Sequence, residues 1–65
     1  MITKDMQLLQ VVDRHRATEA VFKAWDERAG ECLMCNALFD TLEQAAARYN
    51  LDLEALLQEL NQAAS

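Results

Sequence analysis

The chain has no proline and a single glycine, Gly30. With so little to break the backbone, its elements must be punctuated by capping residues. No stretch alternates β-branched and polar residues, which argues against strands and leaves an all-helical reading. No run of about 18 apolar residues occurs, so no membrane span is expected. Basic residues are scarce as well, six Lys+Arg against eleven Asp+Glu for a net charge of −5. A nucleic-acid binder needs basic charge to displace phosphate counterions, so that class is disfavoured. Met1 is followed by Ile2, Thr3, Lys4 and Asp5 without a basic-then-apolar leader, and a soluble cytoplasmic protein is expected.

What is present suits one small core. A chain of 65 residues closes a single hydrophobic core, so residues 1–65 are expected to form one domain. Apolar residues make up 52% of the chain, but eleven of them are alanines that each bury little. The domain is therefore expected to be marginal unless a staple, a metal or a partner helps it. The net charge lies entirely in the second half. Residues 1–30 carry five acids and five bases, whereas residues 31–65 carry six acids against Arg48 alone. An acidic helix face of this kind is ordinarily a solvated one.

The spacing of apolar residues predicts the elements. Thr3 or Asp5 is placed to cap a first short helix in which Leu8, Val11 and Val12 share a face. The pattern stutters at His15-Arg16. A second helix then carries Ala17, Val21, Trp25 and Ala29 on one stripe, widened by Phe22, and should end at Gly30 in the left-handed conformation. Residues 31–40 read as a turn leading into one or two helical turns. Thr41-Leu42-Glu43-Gln44 matches a capping box, with Leu42, Ala45, Ala46 and Tyr49 as the core stripe of the next helix and Asn50 as its C-terminal cap. Asp52 then opens a last helix along Leu53, Leu56, Leu57 and Leu60. The expected fold is all-α, a small bundle of about four short helices with the C-x-x-C at the start of a short helical segment laid across it.

The two cysteines, Cys32 and Cys35, form that C-x-x-C. Random placement would give this spacing in roughly 3% of arrangements, so it is informative. On a helical turn, residues three apart have Cα atoms about 5 Å apart, within reach of a disulfide. Closing so short a loop yields only ~2 kcal/mol in the chain-entropy model, and a cytosolic compartment keeps most thiols reduced. A bridge that stabilises little where it is easily opened reads as a switch more than a staple. A helix N-terminus lowers a thiol pKa, whereas Asp26, Glu27 and Glu31 raise it against Arg28 alone, so a partner-assisted dithiol fits better than a free-standing oxidoreductase. By analogy with other C-x-x-C sites, Cys32 would be the exposed attacking sulfur and Cys35 the resolving one. The residues leave two other readings open. A metal would need ligands from a second chain or a carboxylate, since one chain offers only His15 as a third ligand. Alternatively, both cysteines are small apolar residues packed in a core.

At this pair the sequence resembles a known family. Ile2-Thr3-Lys4-Asp5-Met6, Val21-Phe22, Cys32-Leu33-Met34-Cys35, Thr41-Leu42-Glu43-Gln44-Ala45-Ala46 and the run Leu51 to Asn61 follow one another in order. Together they resemble the small bacterial and archaeal hybrid-cluster-protein-associated redox disulfide domain over nearly the whole chain. The resemblance implies a small helical fold with the cysteine pair near the surface, and a link to thiol redox or to iron–sulfur and nitrogen-oxide chemistry. The chain departs from the pattern at Met34, where the family usually has glycine, at Asn36, where proline often follows the pair, and at His15-Arg16, where the family favours an aromatic-proline break.

The remaining residues suggest little chemistry. His15 reads as a helix-end residue near C-terminal carbonyls, in preference to a ligand or base. Trp25 reads as a core anchor that could also shield the cysteines. Leu33, Met34, Leu38 and Phe39 suit core filling, although Met34 beside a dithiol also suits a docking patch. No Ser/His/Asp set, phosphate-binding glycine loop or paired-carboxylate site is present. The expected function is a small redox-disulfide module in which Cys32 and Cys35 cycle between dithiol and disulfide with a larger protein redox partner. It needs no cofactor, and such a small bundle has little room for a ligand pocket, so a stand-alone enzyme is not expected. The alternatives are a self-associating helical interaction module with incidental cysteines, or a metal site shared between chains.

Overall fold

The computed structural model describes residues 1–65 and contains five helices. They are α1 (Leu8–Arg14), α2 (Thr18–Ala29), α3 (Leu33–Asn36), α4 (Leu42–Tyr49) and α5 (Leu53–Ala64), with no strand among them. The expected all-α bundle is what forms, with α3 as the extra single turn. Helix α2 is central and packs against α1, α3 and α5, while α4 packs on α5.

Local signals set most helix ends. Gly30 ends α2 with φ +75°, and Asn50 ends α4 with φ +56°. At the start of α4 the Gln44 N–H donates to Thr41 Oγ1 at 3.1 Å, and the Thr41 N–H donates back to Gln44 Oε1 at 2.9 Å. Asp52 caps α5 by accepting the Ala55 N–H at 3.1 Å. The start of α1 differs from expectation: the helix begins at Leu8, with Gln7 as its N-cap, and neither Thr3 nor Asp5 caps it. Residues 1–7 are used elsewhere.

Those residues run alongside the segment before α4, meeting it in one antiparallel bridge between Gln7 and Thr41. The Leu42 and Glu43 N–H groups donate to the carbonyls of Met6 (2.9 Å) and Lys4 (3.1 Å). In return, the Leu8 and Leu9 N–H groups donate to the carbonyls of Asp40 (3.1 Å) and Leu38 (2.9 Å). Each segment thus satisfies free donors at the other's helix N-terminus, groups that no intrahelical bond can reach. Ile2, 2% exposed, is pinned to α5. Its N–H donates to Asn61 Oδ1 at 2.8 Å, and Asn61 Nδ2 donates to its carbonyl at 3.1 Å.

The core joins Ile2, Leu8, Val11, Phe22, Trp25, Leu33, Ala37, Leu42, Ala45, Leu56 and Leu60. Trp25 lies at its centre, as the stripe predicts, and its indole N–H donates to Glu59 Oε1 at 3.1 Å. The α2 stripe begins one residue later than expected. Ala17 is exposed, and the fully buried residue is Thr18, whose hydroxyl donates to the His15 carbonyl at 2.6 Å. His15 is the C-cap of α1, in line with the helix-end reading.

The Tyr49 hydroxyl is buried without a hydrogen-bond partner. Burial pushes its phenol above the ordinary value of 10.0, with the Glu31 carboxylate adding to the rise and Arg48 opposing it. A raised folded-state pKa means that the unfolded phenol ionises first. Stability is therefore expected to fall as pH rises from about 10 towards the folded value. Tyr49→Phe should flatten that alkaline decline and keep or raise the denaturant midpoint at neutral pH, because no polar atom is then buried unpaired. Urea titrations at pH 7 and above pH 10 test this, and an undiminished alkaline decline in the variant would refute the assignment to Tyr49.

Candidate functional site

Cys32 and Cys35 are joined by a disulfide within one turn, with Cα atoms 5.2 Å apart. This lies inside the ordinary range for such bonds. The turn is built locally. Gly30 reverses the chain at the end of α2, and Cys32 is the N-cap of α3 in an extended conformation (φ −75°, ψ 106°). The Cys35 N–H then points at Cys32 Sγ, 3.2 Å away. Asp26, one turn before the end of α2, accepts the Leu33 N–H on Oδ1 at 2.8 Å. That bond fastens the first turn of α3 to α2 beside the disulfide.

Leu33 (1% exposed) and Ala37 (1%) point into the core at i and i+4. Cys35 and Asn36 therefore face outward and are exposed, whereas Cys32 is half-buried at the end tethered to α2. Cys35 is thus the more exposed residue of the pair, where the sequence reading has Cys32 as the exposed sulfur. Of the residues between the two buried anchors, Met34 packs against the core while Cys35 and Asn36 lie on the solvent side. The core-packing reading of the cysteines also fails, since neither belongs to the buried set. On the far side of α3, Asn36 Nδ2 donates to the Cys32 carbonyl at 3.1 Å. Arg48 of α4 donates to the Asn36 carbonyl at 3.3 Å and pairs with Asp40 at 3.1 Å.

The apolar residues near the pair divide. Leu33 fills the core, and Met34 and Leu38 are half-buried. Phe39 is 70% exposed, and Leu9, whose N–H donates to the Leu38 carbonyl, is 40% exposed. Trp25 is held in the core with the Arg28 guanidinium over its ring at 4.2 Å. No group of three His, Cys, Asp or Glu side chains is placed to hold a metal ion, and His15 lines a different part of the molecule. A metal at the pair would thus need ligands from another chain. The cavity that includes His15 has a volume of about 210 Å³ and is bounded by Met1, Ile2, Asn61, Ala64 and Ser65. It is smaller than the several hundred Å³ usual for small-molecule sites, and no cysteine lines it. No helix is long and apolar enough to cross a membrane.

No family model, curated protein or solved structure matches the chain. The site is therefore read from its own geometry. A disulfide closed within a single exposed turn, with an N–H aimed at one sulfur, can be opened by an incoming thiolate without moving any other element. Asp26 is the site residue whose part sequence reasoning missed. It was counted there as a nearby charge, and its hydrogen bond depends on where the Gly30 turn returns the chain.

Proposed function

We propose that this protein is a redox-disulfide module that exchanges its Cys32–Cys35 bond with a dithiol on a larger protein partner in the cytoplasm. The observation that carries this reading is the placement of the bonded pair in one exposed turn. There it links no two helices and contributes only ~2 kcal/mol in the chain-entropy model. The likeness of the chain to the hybrid-cluster-protein-associated redox disulfide domain, running from Ile2 to Asn61 around Cys32 and Cys35, points the same way.

The greater exposure of Cys35 supports an order of events. A partner thiolate attacks Cys35 Sγ, the Cys32–Cys35 bond breaks, and a mixed disulfide forms at Cys35. Cys32 leaves as a thiolate, which the Cys35 N–H stabilises and a proton from solvent then neutralises. The partner's second thiolate attacks its own mixed-disulfide sulfur, Cys35 departs and is protonated, and the partner is left with a disulfide. Two electrons and two protons have passed from the partner dithiol to this pair. The reverse sequence oxidises the pair.

A glutathione titration, read by thiol alkylation and mass, tests the reading. A defined midpoint at which dithiol and disulfide coexist is expected. A pair that stays reduced throughout the physiological range, or that remains bonded in cells and resists reduction, would sink it. The exposure of Phe39 and Leu9 is the observation that favours a second reading, a helical interaction module with incidental cysteines. That reading takes over if the Cys32→Ser, Cys35→Ser double variant retains partner binding and cellular function.

A further inference from the structure

We infer that Asp26 is a positioning residue for the redox pair: its carboxylate, bound to the first N–H of α3, holds Cys32 in place and opposes the Cys32 thiolate. The inference deepens the redox reading and rests on it.

The geometry comes first. Asp26 Oδ1 accepts the Leu33 N–H at 2.8 Å, and Leu33 directly follows Cys32. Covalent reach from the Leu33 nitrogen to Cys32 Sγ keeps Asp26 Oδ1 within about 8 Å of the sulfur, about one Debye length at physiological salt. The sulfur has the Cys35 N–H at 3.2 Å, while the Leu33 N–H is already taken by Asp26. When the disulfide opens, the Cys32 thiolate and the Asp26 carboxylate thus lie at one short turn, each with a single backbone N–H donor. Asp26 and Cys32 are both half-buried, so solvent screens them less than it would at an open surface.

The surrounding charges leave Asp26 as the specific opponent. On α2, Glu27 is exposed, and Arg28 is engaged over the Trp25 ring at 4.2 Å. Glu31, in the connecting turn, is exposed. On the side of α4, Arg48 is paired with Asp40 at 3.1 Å and bound to the Asn36 carbonyl. From α5, Glu59 accepts the Trp25 indole N–H. No lysine or arginine forms a salt bridge with Asp26.

The consequence for exchange follows. When the disulfide opens, negative charge develops on Cys32, and the Asp26 carboxylate makes that leaving thiolate less stable. Above the Cys32 midpoint, where that thiolate is populated, the equilibrium with a partner dithiol is biased toward the disulfide. Asp26→Asn keeps an oxygen acceptor for the Leu33 N–H and removes the charge.

The test uses the full chain, chemically reduced, with residue-resolved alkylation by iodoacetamide across pH. In Asp26→Asn the Cys32 midpoint should fall by about one pH unit. The equilibrium with glutathione should shift about tenfold toward the dithiol above that midpoint, or ~30 mV for a two-electron couple. The shift should fade at low pH, where both thiols are protonated. Glu27→Gln, which removes the same charge one residue away, should leave the Cys32 midpoint nearly unchanged. Asp26→Ser, which keeps a smaller acceptor, should move it in the same direction as Asn and serves if Asn perturbs folding by circular dichroism. An unchanged or raised Cys32 midpoint in Asp26→Asn, or an equal shift in Glu27→Gln, overturns the inference. A wild-type pair that does not equilibrate with glutathione defeats the redox reading instead, and the alkylation profile of the reduced chain reports on Asp26 independently of that result.

Discussion

Trp25→Ala is expected to leave the chain largely unfolded at 25 °C. Trp25 is 1% exposed in a core that also contains Phe22, Leu56 and Leu60, and its indole N–H is bonded to Glu59 across to α5. Truncating a buried tryptophan costs about 3–5 kcal/mol, the transfer term plus the cavity left behind. A single core in a domain this small rarely supplies more than about 3–5 kcal/mol in total. The two quantities are of the same size, so little stability remains. The loss of the indole donor also leaves Glu59 without that partner. Far-UV circular dichroism and a urea titration are the measurements. Trp25→Phe, which keeps most of the ring volume, should restore a cooperative transition at a lower midpoint. A Trp25→Ala protein with an unshifted midpoint would show that the centre of the core lies elsewhere.

The second large effect concerns the asymmetry of the two sulfurs. Cys32→Ser should form a long-lived mixed disulfide with the disulfide form of a protein partner, one partner thiolate leaving, or with 5,5′-dithiobis(2-nitrobenzoate), 5-thio-2-nitrobenzoate leaving, because the exposed Cys35 can still attack and no second sulfur of this chain remains to release the adduct. Cys35→Ser should accumulate such adducts about tenfold or more slowly, since its remaining cysteine, Cys32, is half-buried and directly precedes the Leu33 N–H that the Asp26 carboxylate binds. Non-reducing mass spectrometry after timed incubation gives the ratio. Equal trapping by the two variants, or faster trapping through Cys32, would reverse the order of events assigned to the pair.

What the sequence discloses about this fold depends on how local the physics is. The Thr41–Gln44 box, the Asp52 cap, the Gly30 and Asn50 stops and the Leu56–Leu60 stripe are each decided within one or two turns of chain, and each is where its residues place it. The beginning of the molecule is different. Thr3 and Asp5 are good capping residues by type, but Lys4 and Met6 spend their carbonyls on the N–H groups of Glu43 and Leu42, about forty residues away, so the first helix waits until Leu8. No composition or periodicity announces a backbone-to-backbone bond of that reach. The same limit explains Ala17 and Thr18. A stripe at spacing four runs through Ala17 equally well, but the hydroxyl of Thr18 finds the His15 carbonyl and is drawn inward.

At the site, the C-x-x-C spacing was legible and so was its ability to close, whereas the sidedness was not. That Cys35 is the more exposed residue follows from Leu33 and Ala37 both pointing into the core and from Asp26 drawing the start of α3 onto α2. Both are tertiary facts. Phe39 illustrates a related limit, since its apolar character suits a core position and it nevertheless lies open at the surface.

Because the covalent link closes inside one turn of α3, severing it releases no long span of polypeptide. The protein's hydrodynamic size and the slow exchange of its deepest amides should be alike whether the sulfurs are joined or apart. Anything that distinguishes the two forms must therefore do so at close range, by touching the few atoms around Cys35, since the silhouette of the molecule is the same in both.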